Sequence, residues 1–265
     1  MATQLMDRTQ HQQDRVSAPP FNPGKPLKRD WRAALGALRK LMANGDDTAQ
    51  VFRIMRALNA GASQHNFRKL ITSREGGRLA YERIELSDKF SDRAWLDALP
   101  AGTVGAAYRA FLDRTGFSAK GLAEISMTDF EADAIVIEHP YAWFGRRERD
   151  MHDIWHTLTG YTAEEHLGEL CLVAFSYAQT GGLGWGAIGA MGALKSLAVT
   201  RNAAVLKAVV EGYRHGRKAK WLSGEDYVAL LAEPLEQARR RLNIAEPVLY
   251  RKAQALLADR GLQAI

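Results

Sequence analysis

The stretch Met151-His152-Asp153-Ile154-Trp155-His156, followed by Gly168-Glu169, decides how this chain is read. His152 and His156 are four residues apart, so on a helix both imidazoles lie on one face, one turn apart. Asp153 sits beside the first, and Glu169 arrives on the next predicted helix. Two imidazoles and two carboxylates make a full ligand set for a divalent metal. Burying such groups without partners costs several kcal/mol, and a bound cation removes that cost. The alternative is a solvated helix face with an ordinary His–Asp hydrogen bond. The motif differs from His-Glu-x-x-His, where the intervening Glu acts as base. Glu165 and His166 are rival fourth ligands. Thr162-x-x-Glu165 reads as a capping box, which explains Glu165 without a metal.

Outward from this stretch the pattern is helical and expects one all-α, multi-helix domain over residues 30–265, with the metal site between two helices and an apolar groove beside it. Asp30 opens a helix carrying Trp31, Ala34, Leu35, Leu38 and Leu41, and Asn44-Gly45 ends it. A second runs from Thr48 with Val51, Ile54, Met55 and Leu58 inward, closing at Asn59-Ala60-Gly61. Short pieces follow up to Pro100, then a clear helix from Gly105 to Thr115, stopped by Gly116. Residues 127–137 read as a further helix, or a short strand at Ile135–Ile137. A helix resumes at Glu148 and runs to about Leu158, and the next runs from Ala163 to Tyr177. Residues 1–29, polar and then rich in proline, are expected to be a disordered N-terminal segment.

The chain of 265 residues is 46% hydrophobic, ample for a buried core. Its formal net charge is +6, but the basic residues are dispersed and no nucleic-acid motif accompanies them, so no nucleic-acid partner is expected. One cysteine, Cys171, excludes an internal disulfide framework and fits a reducing compartment. The first 20 residues lack the apolar run of a secretory signal and the Arg-rich character of a transit peptide. The expectation is a bacterial cytoplasmic protein, peripheral on the inner face of the membrane.

Two further regions bear on a ligand. Six of the fourteen residues in Gly181–Leu194 are glycine and none is charged. Glycines allow close helix packing, or leave a slot in which Gly184 and, beyond the run, Leu197 meet an apolar chain. The run is about long enough to cross a bilayer, but its poor helix propensity and Lys195 favour docking on a membrane surface over spanning. Tyr213, Arg214, Arg217 and Lys220 share one helical face: either a solvated charged face or an anchor for a carboxylate or phosphate headgroup.

At these residues the chain resembles the coenzyme Q (ubiquinone) biosynthesis protein 4 family. That family carries His-Asp-x-x-His, eleven residues, then Glu, with Leu-Thr-Gly-Tyr and Leu-Gly-Glu inside the gap. Here the same elements read His152-Asp153-Ile154-Trp155-His156, Leu158-Thr159-Gly160-Tyr161 and Leu167-Gly168-Glu169. Phe175-x-Tyr177-Ala178-Gln179 and Tyr213-Arg214-x-Gly216-Arg217 continue the likeness. One departure matters: the gap between His156 and Glu169 is twelve residues. An extra residue in the turn Tyr161-Thr162-Ala163 leaves Glu169 in register, whereas one after the cap rotates it by about 100°.

The resemblance implies an all-α fold and a divalent metal, zinc by usual assignment with manganese or iron as alternatives, held by His152, Asp153, His156 and Glu169. It implies a polyprenylated aromatic acid or isoprenoid lipid as ligand. It also implies oxidative removal of the C1 carboxylate of a polyprenyl-4-hydroxybenzoate-type ring, with hydroxylation there and His152, Asp153 and His156 as catalytic groups. On that reading Tyr213, Arg214 and Arg217 bind the acidic head, and Gly184 and Leu197 line the tail slot. Other quinone-biosynthesis proteins and an anionic membrane surface are the expected partners, and a homodimer fits. The competing role is a non-catalytic isoprenoid-binding scaffold that organises those proteins. A metal-dependent phosphohydrolase is disfavoured, because no additional His and Asp stand at suitable helical positions.

Overall fold

A computed structural model describes residues 28–127 and 140–262. The expectations for residues 1–27 and for a helix or strand beyond Met127 lie outside the described residues. Among the described residues regular structure is helical, with one isolated bridge between Thr103 and Pro234. The expected all-α architecture is therefore present. No described helix is long and apolar enough to cross a membrane.

Helix α1 spans Trp31–Ala43, and the Asp30 carboxylate accepts the Ala33 N–H at 2.9 Å. Helix α2 spans Thr48–Ile71 and runs straight through Asn59-Ala60-Gly61, where the sequence predicts a stop. Two facts explain the difference. Ile54 and Leu58 are buried in one hydrophobic cluster before the glycine, and Phe67 and Leu70 in another after it, so packing holds the helix on both sides of it. Asn59 is not a cap: its carbonyl accepts the Gly184 N–H at 2.7 Å. Burial on both sides outweighs the cost of about 1 kcal/mol for one helical glycine. A Cβ on Gly61 meets nothing within 4 Å. Gly61→Ala is therefore expected to raise stability by about 0.5–1 kcal/mol, read as a higher urea midpoint at unchanged slope.

Short helices α3 (Arg74–Glu82), α4 (Leu86–Ser91) and α5 (Arg93–Asp97) lead to α6 (Val104–Thr115), stopped by Gly116 at φ +69°. Helix α7 spans Ala119–Met127. Helix α8 (Pro140–Asp150) begins on a proline, whose missing N–H costs nothing at a first helical position. Helix α9 (His152–Thr159) follows after a single turn residue, Met151, so the continuous helix expected from Glu148 to Leu158 is two helices. Arg239 donates to the Leu158 carbonyl at 2.9 Å and caps the end of α9.

Helix α10 (His166–Thr180) is the central element and ends at Gly181, φ +68°. Helix α11 (Leu183–Thr200) contains the glycine-rich run. Arg201 at φ +50° ends that helix, and Asn202 caps α12 (Ala203–Lys218). A 3₁₀ turn at Leu222–Gly224 precedes α13 (Tyr227–Ala232), α14 (Leu235–Leu242) and α15 (Val248–Asp259). Helices α10 and α12 cross where glycine lets backbones touch. A Cβ on Gly212 would fall 2.4 Å from the Cys171 carbonyl oxygen, and one on Gly216 2.5 Å from that of Phe175.

Three hydrophobic clusters result. The largest joins α9, α10 and α12 to α6, α13, α14 and α15 through residues such as Ile154, Trp155, Leu167, Leu172, Phe175 and Tyr227. A second joins α1, α2 and α11 through Leu41, Ile54, Leu58, Val173 and Ile188. A third joins α2, α3 and α8 through Phe67, Leu70, Leu79, Trp143 and Phe144.

Candidate metal centre

Helix α9 buries its histidine-bearing face against α6 and α10. The His156 ring is fully buried, stacks on Phe111 of α6 at 5.8 Å and 18°, and pairs through Nδ1 with the Tyr161 carbonyl at 2.8 Å. That bond requires the proton on Nδ1 and leaves the Nε2 lone pair free. Nε2 is buried without a hydrogen-bond partner, 3.2 Å from Glu169 Oε1. His152 lies one turn back, its ring centre 4.8 Å from that of His156 and its Nε2 3.8 Å from Glu169 Oε2. One ligand atom from each of His152, His156 and Glu169 lies within 4.8 Å of the others. Bonds of about 2 Å from three such atoms close on a single ion. The orphaned Nε2 and the two-nitrogen, one-oxygen donor set fit a divalent metal.

The charge balance points the same way. Burial opposes the protonation of His156, but Glu169, the Tyr161 carbonyl and Asp153 outweigh it and raise its pKa. Burial also raises Glu169, yet His156, His152 and His166 pull its carboxyl below the usual range. The cluster draws positive charge to itself, as a cation site does.

Asp153 is buried but faces the other side of His152, with Oδ1 3.5 Å from Nδ1. It stands where a carboxylate orients a ligating imidazole rather than among the converging donors. The capping box predicted at Thr162 is absent: α10 starts at His166, and Glu165 accepts from Tyr250, Gln254 and the Thr162 hydroxyl rather than from a backbone N–H. Glu169, on the first turn of α10, faces His152 and His156. Gly168 makes this fit, since a Cβ there would lie 2.0 Å from the Thr162 carbonyl oxygen.

A cavity of about 1170 Å³ opens beside the three residues. Its walls are largely apolar: Val51, Phe52 and Met55 from α2, Leu122 and Ile125 from α7, Leu170 and Val173 from α10. Trp185, Ile188, Gly192 and Lys195 of α11 line it at helical spacing, so the glycine-rich run does form one wall. Gly184 itself backs onto Met55 and Asn59, and Leu197 is half-buried outside the lining. Tyr213, Arg214 and Arg217 are exposed on the outer face of α12, with Tyr213 stacked on Tyr177, and none of them lines the cavity. Two lining residues go unmarked by motif reading. Trp185 lies parallel to the His152 ring at 5.9 Å and 11°. Glu148, four residues before His152, is one turn earlier on the same side, and that spacing was its signal.

Residues 32–248 match the family profile described as coenzyme Q (ubiquinone) biosynthesis protein Coq4. This chain belongs to that family. Among curated Coq4 relatives, the zebrafish (Danio rerio) "Ubiquinone biosynthesis protein COQ4 homolog, mitochondrial" is 31% identical over 175 residues, 65% of this chain and 60% of that protein. The human (Homo sapiens) protein of the same name is 29% identical over 177 residues, 66% of this chain and 63% of that one. The matched stretch therefore spans less than two thirds of these relatives' length. A crystal structure of a Nostoc punctiforme protein described in terms of ubiquinone biosynthesis superposes with a TM-score of 0.59 at 22% identity, covering 83% of this chain and all of that one. At that identity the likeness establishes a shared fold alone. The relatives are named as mitochondrial proteins, which overturns the expectation of a bacterial cytoplasmic protein at the inner face of the membrane.

Proposed function

We propose that this Coq4 chain is a metal-dependent enzyme of ubiquinone biosynthesis that oxidatively removes the C1 carboxylate of a polyprenyl-4-hydroxybenzoate-type ring. The observation that carries this reading is the orphaned Nε2 of His156, facing His152 and Glu169 at the edge of a large apolar cavity. The balanced reaction takes the ring acid, dioxygen, two electrons from an external donor and two protons to the phenol, carbon dioxide and water. His152, His156 and Glu169 hold the ion, and Asp153 fixes the ring of His152. Zinc, manganese and iron all suit such donors. The ion supplies a Lewis acid for the oxygens of the ring acid. Val51, Phe52, Met55 and Ile188 hold the isoprenoid chain and keep water from the reacting carbon.

Elemental analysis and turnover of a prenylated 4-hydroxybenzoate test this together. Chelation is expected to stop release of carbon dioxide, and one equivalent of a divalent ion to restore it. Undiminished turnover by protein shown to be metal-free would falsify the reading.

One observation favours a second role. Met191, Leu194 and Val199 of α11 and Leu206 and Val210 of α12 are apolar yet 38–58% exposed. Such a face suits docking on an isoprenoid-bearing lipid surface or another quinone-biosynthesis protein. A co-purifying lipid that is never converted, together with partner binding that survives chelation, supports that scaffold role over catalysis.

A further inference from the structure

The cavity has a second polar pole, separate from the three metal-site residues. Glu148 of α8 and Ser63 of α2 both line it. The Ser63 hydroxyl donates to Glu148 Oε2 at 2.7 Å, and the Asn66 amide lies 3.3 Å from Oε1. Asn66 is itself fixed by donating to the Thr180 carbonyl at 2.9 Å. Both partners of the carboxyl are neutral, although three arginines flank it in sequence. Arg146 pairs with Glu85, Arg147 donates to the Glu225 carbonyl, and Arg149 binds Asp150 and Ser126. Every neighbouring cation on α8 is thus committed elsewhere.

The placement is as telling as the partners. Met151 N–H reaches the Arg147 carbonyl and Trp155 N–H the Met151 carbonyl, so the backbone stays helical in path across the junction of α8 and α9. Glu148 and His152 therefore stand one turn apart on the same side, with about 6 Å between their Cβ atoms. An aromatic ring with oxygen substituents at its two ends spans such a gap.

We propose that Glu148 is the proton acceptor for a phenolic hydroxyl on the ligand's ring, holding that end while the His152–His156–Glu169 pole holds the other. This rests on the reading that the cavity takes a prenylated hydroxyaryl acid. The step is a single proton transfer, from phenol oxygen to carboxylate oxygen, leaving a phenolate and a neutral carboxylic acid. Burial, opposed only by the Ser63 and Asn66 bonds, pushes the Glu148 carboxyl up to about 7. A base poised there exchanges protons near neutral pH. The other groups that face it are Tyr141 on its own helix, whose phenol burial and Glu148 push up, and Arg56 of α2, which lines the same cavity.

The test uses Glu148→Gln, which keeps the side chain's shape and its capacity to bond Ser63 and Asn66. Both proteins are first shown by elemental analysis to carry equal metal. The probes are 3-geranyl-4-hydroxybenzoate and its 4-methoxy ether, with affinities measured by calorimetry from pH 5.5 to 8.5. Above pH 7 the wild-type carboxylate only accepts, so the hydroxy probe is expected to bind about tenfold tighter than the ether. Below pH 7 the acid donates to either oxygen and the preference shrinks. In Glu148→Gln the preference is expected to be flat with pH, and kcat to fall by roughly 10²–10⁴-fold. A metal-loaded Glu148→Gln protein with wild-type kcat and the same pH-dependent preference overturns the assignment while leaving the metal-dependent reading intact. Failure of the wild type to bind either probe overturns both.

Discussion

Replacing His156 by alanine is expected to give a protein that no longer retains stoichiometric metal and whose turnover of the prenylated acid drops to background. His156 offers the buried donor of the cluster, its Nε2 directed at Glu169 by the Nδ1 bond to Tyr161. Removing the ring also empties space beside Phe111, at a cost of about 2–4 kcal/mol, so unfolding must be separated from loss of the ligand. Asp153→Asn provides that separation. It preserves volume and withdraws only the charge beside His152 Nδ1, and is expected to weaken metal binding by roughly 10–100-fold without abolishing it. Equal and complete metal loss in both variants would make Asp153 a ligand. Full metal content in His156→Ala would remove the site altogether. The metal-free protein adds a pH signature. The raised pKa of His156 makes its pairing with Glu169 stabilising below its usual value of 6.5, and that contribution is lost as pH rises through the raised value. The lowered pKa of Glu169 makes the same pairing stabilising above 4.5, and it is lost as pH falls through the lowered value. Chelated protein should thus gain most from the pair between pH 4.5 and 6.5. Metal-loaded protein should keep gaining as pH rises, because the ligands must give up their protons.

Gly168→Ala is expected to be the most damaging single-methyl change near the site. The added Cβ would lie 2.0 Å from the Thr162 carbonyl oxygen and 2.8 Å from its nitrogen, and both are backbone atoms. The Thr162 loop cannot yield cheaply, since the Tyr250 hydroxyl holds its N–H at 3.2 Å and its Oγ1 at 2.8 Å. Overpacking against a fixed backbone costs about 3 kcal/mol, which lowers the melting temperature of a chain this size by roughly 6–12 °C. The displaced helix start carries Glu169 with it, so resistance to chelators should fall in parallel. Calorimetric melting and chelator competition on the purified variant check both effects. A wild-type melting temperature with unchanged metal retention would show that the loop moves freely.

Much of this architecture is legible in the chain. The Asp30 cap and the stops at Gly116 and Gly160 are local events, decided by side chains within a turn of the helix end. What sequence pattern misses is decided at a distance. Asn59 and Gly61 look like a terminus until Gly184 and the buried faces on either side are seen to hold α2 together. Thr162 and Glu165 have capping-box spacing and do touch, but Tyr250 and Gln254 from the far end of the chain share the Glu165 carboxylate and hold it away from the helix backbone. The candidate metal ligands are legible because helical spacing alone brings His152 and His156 together. The cations on α12 are not, because an amphipathic pattern names a face without naming what covers it. Their face turns outward, whereas Glu148 enters the cavity at helical spacing from His152, and Ser63 beside it carries no periodic mark.

The cavity is walled by helices that belong to separately packed clusters. The α9–α10–α12 side, which carries the ligands, is knitted into most of the remaining helices, whereas the α1–α2–α11 side is a small group leaning against it. One side can therefore breathe while the other stays intact. For the isoprenoid occupant proposed above, too insoluble to leave through water, the expected escape is sideways between those helices. Its residence time should then follow amide hydrogen exchange in α1 and the first half of α2, and not change when metal is removed from the histidines.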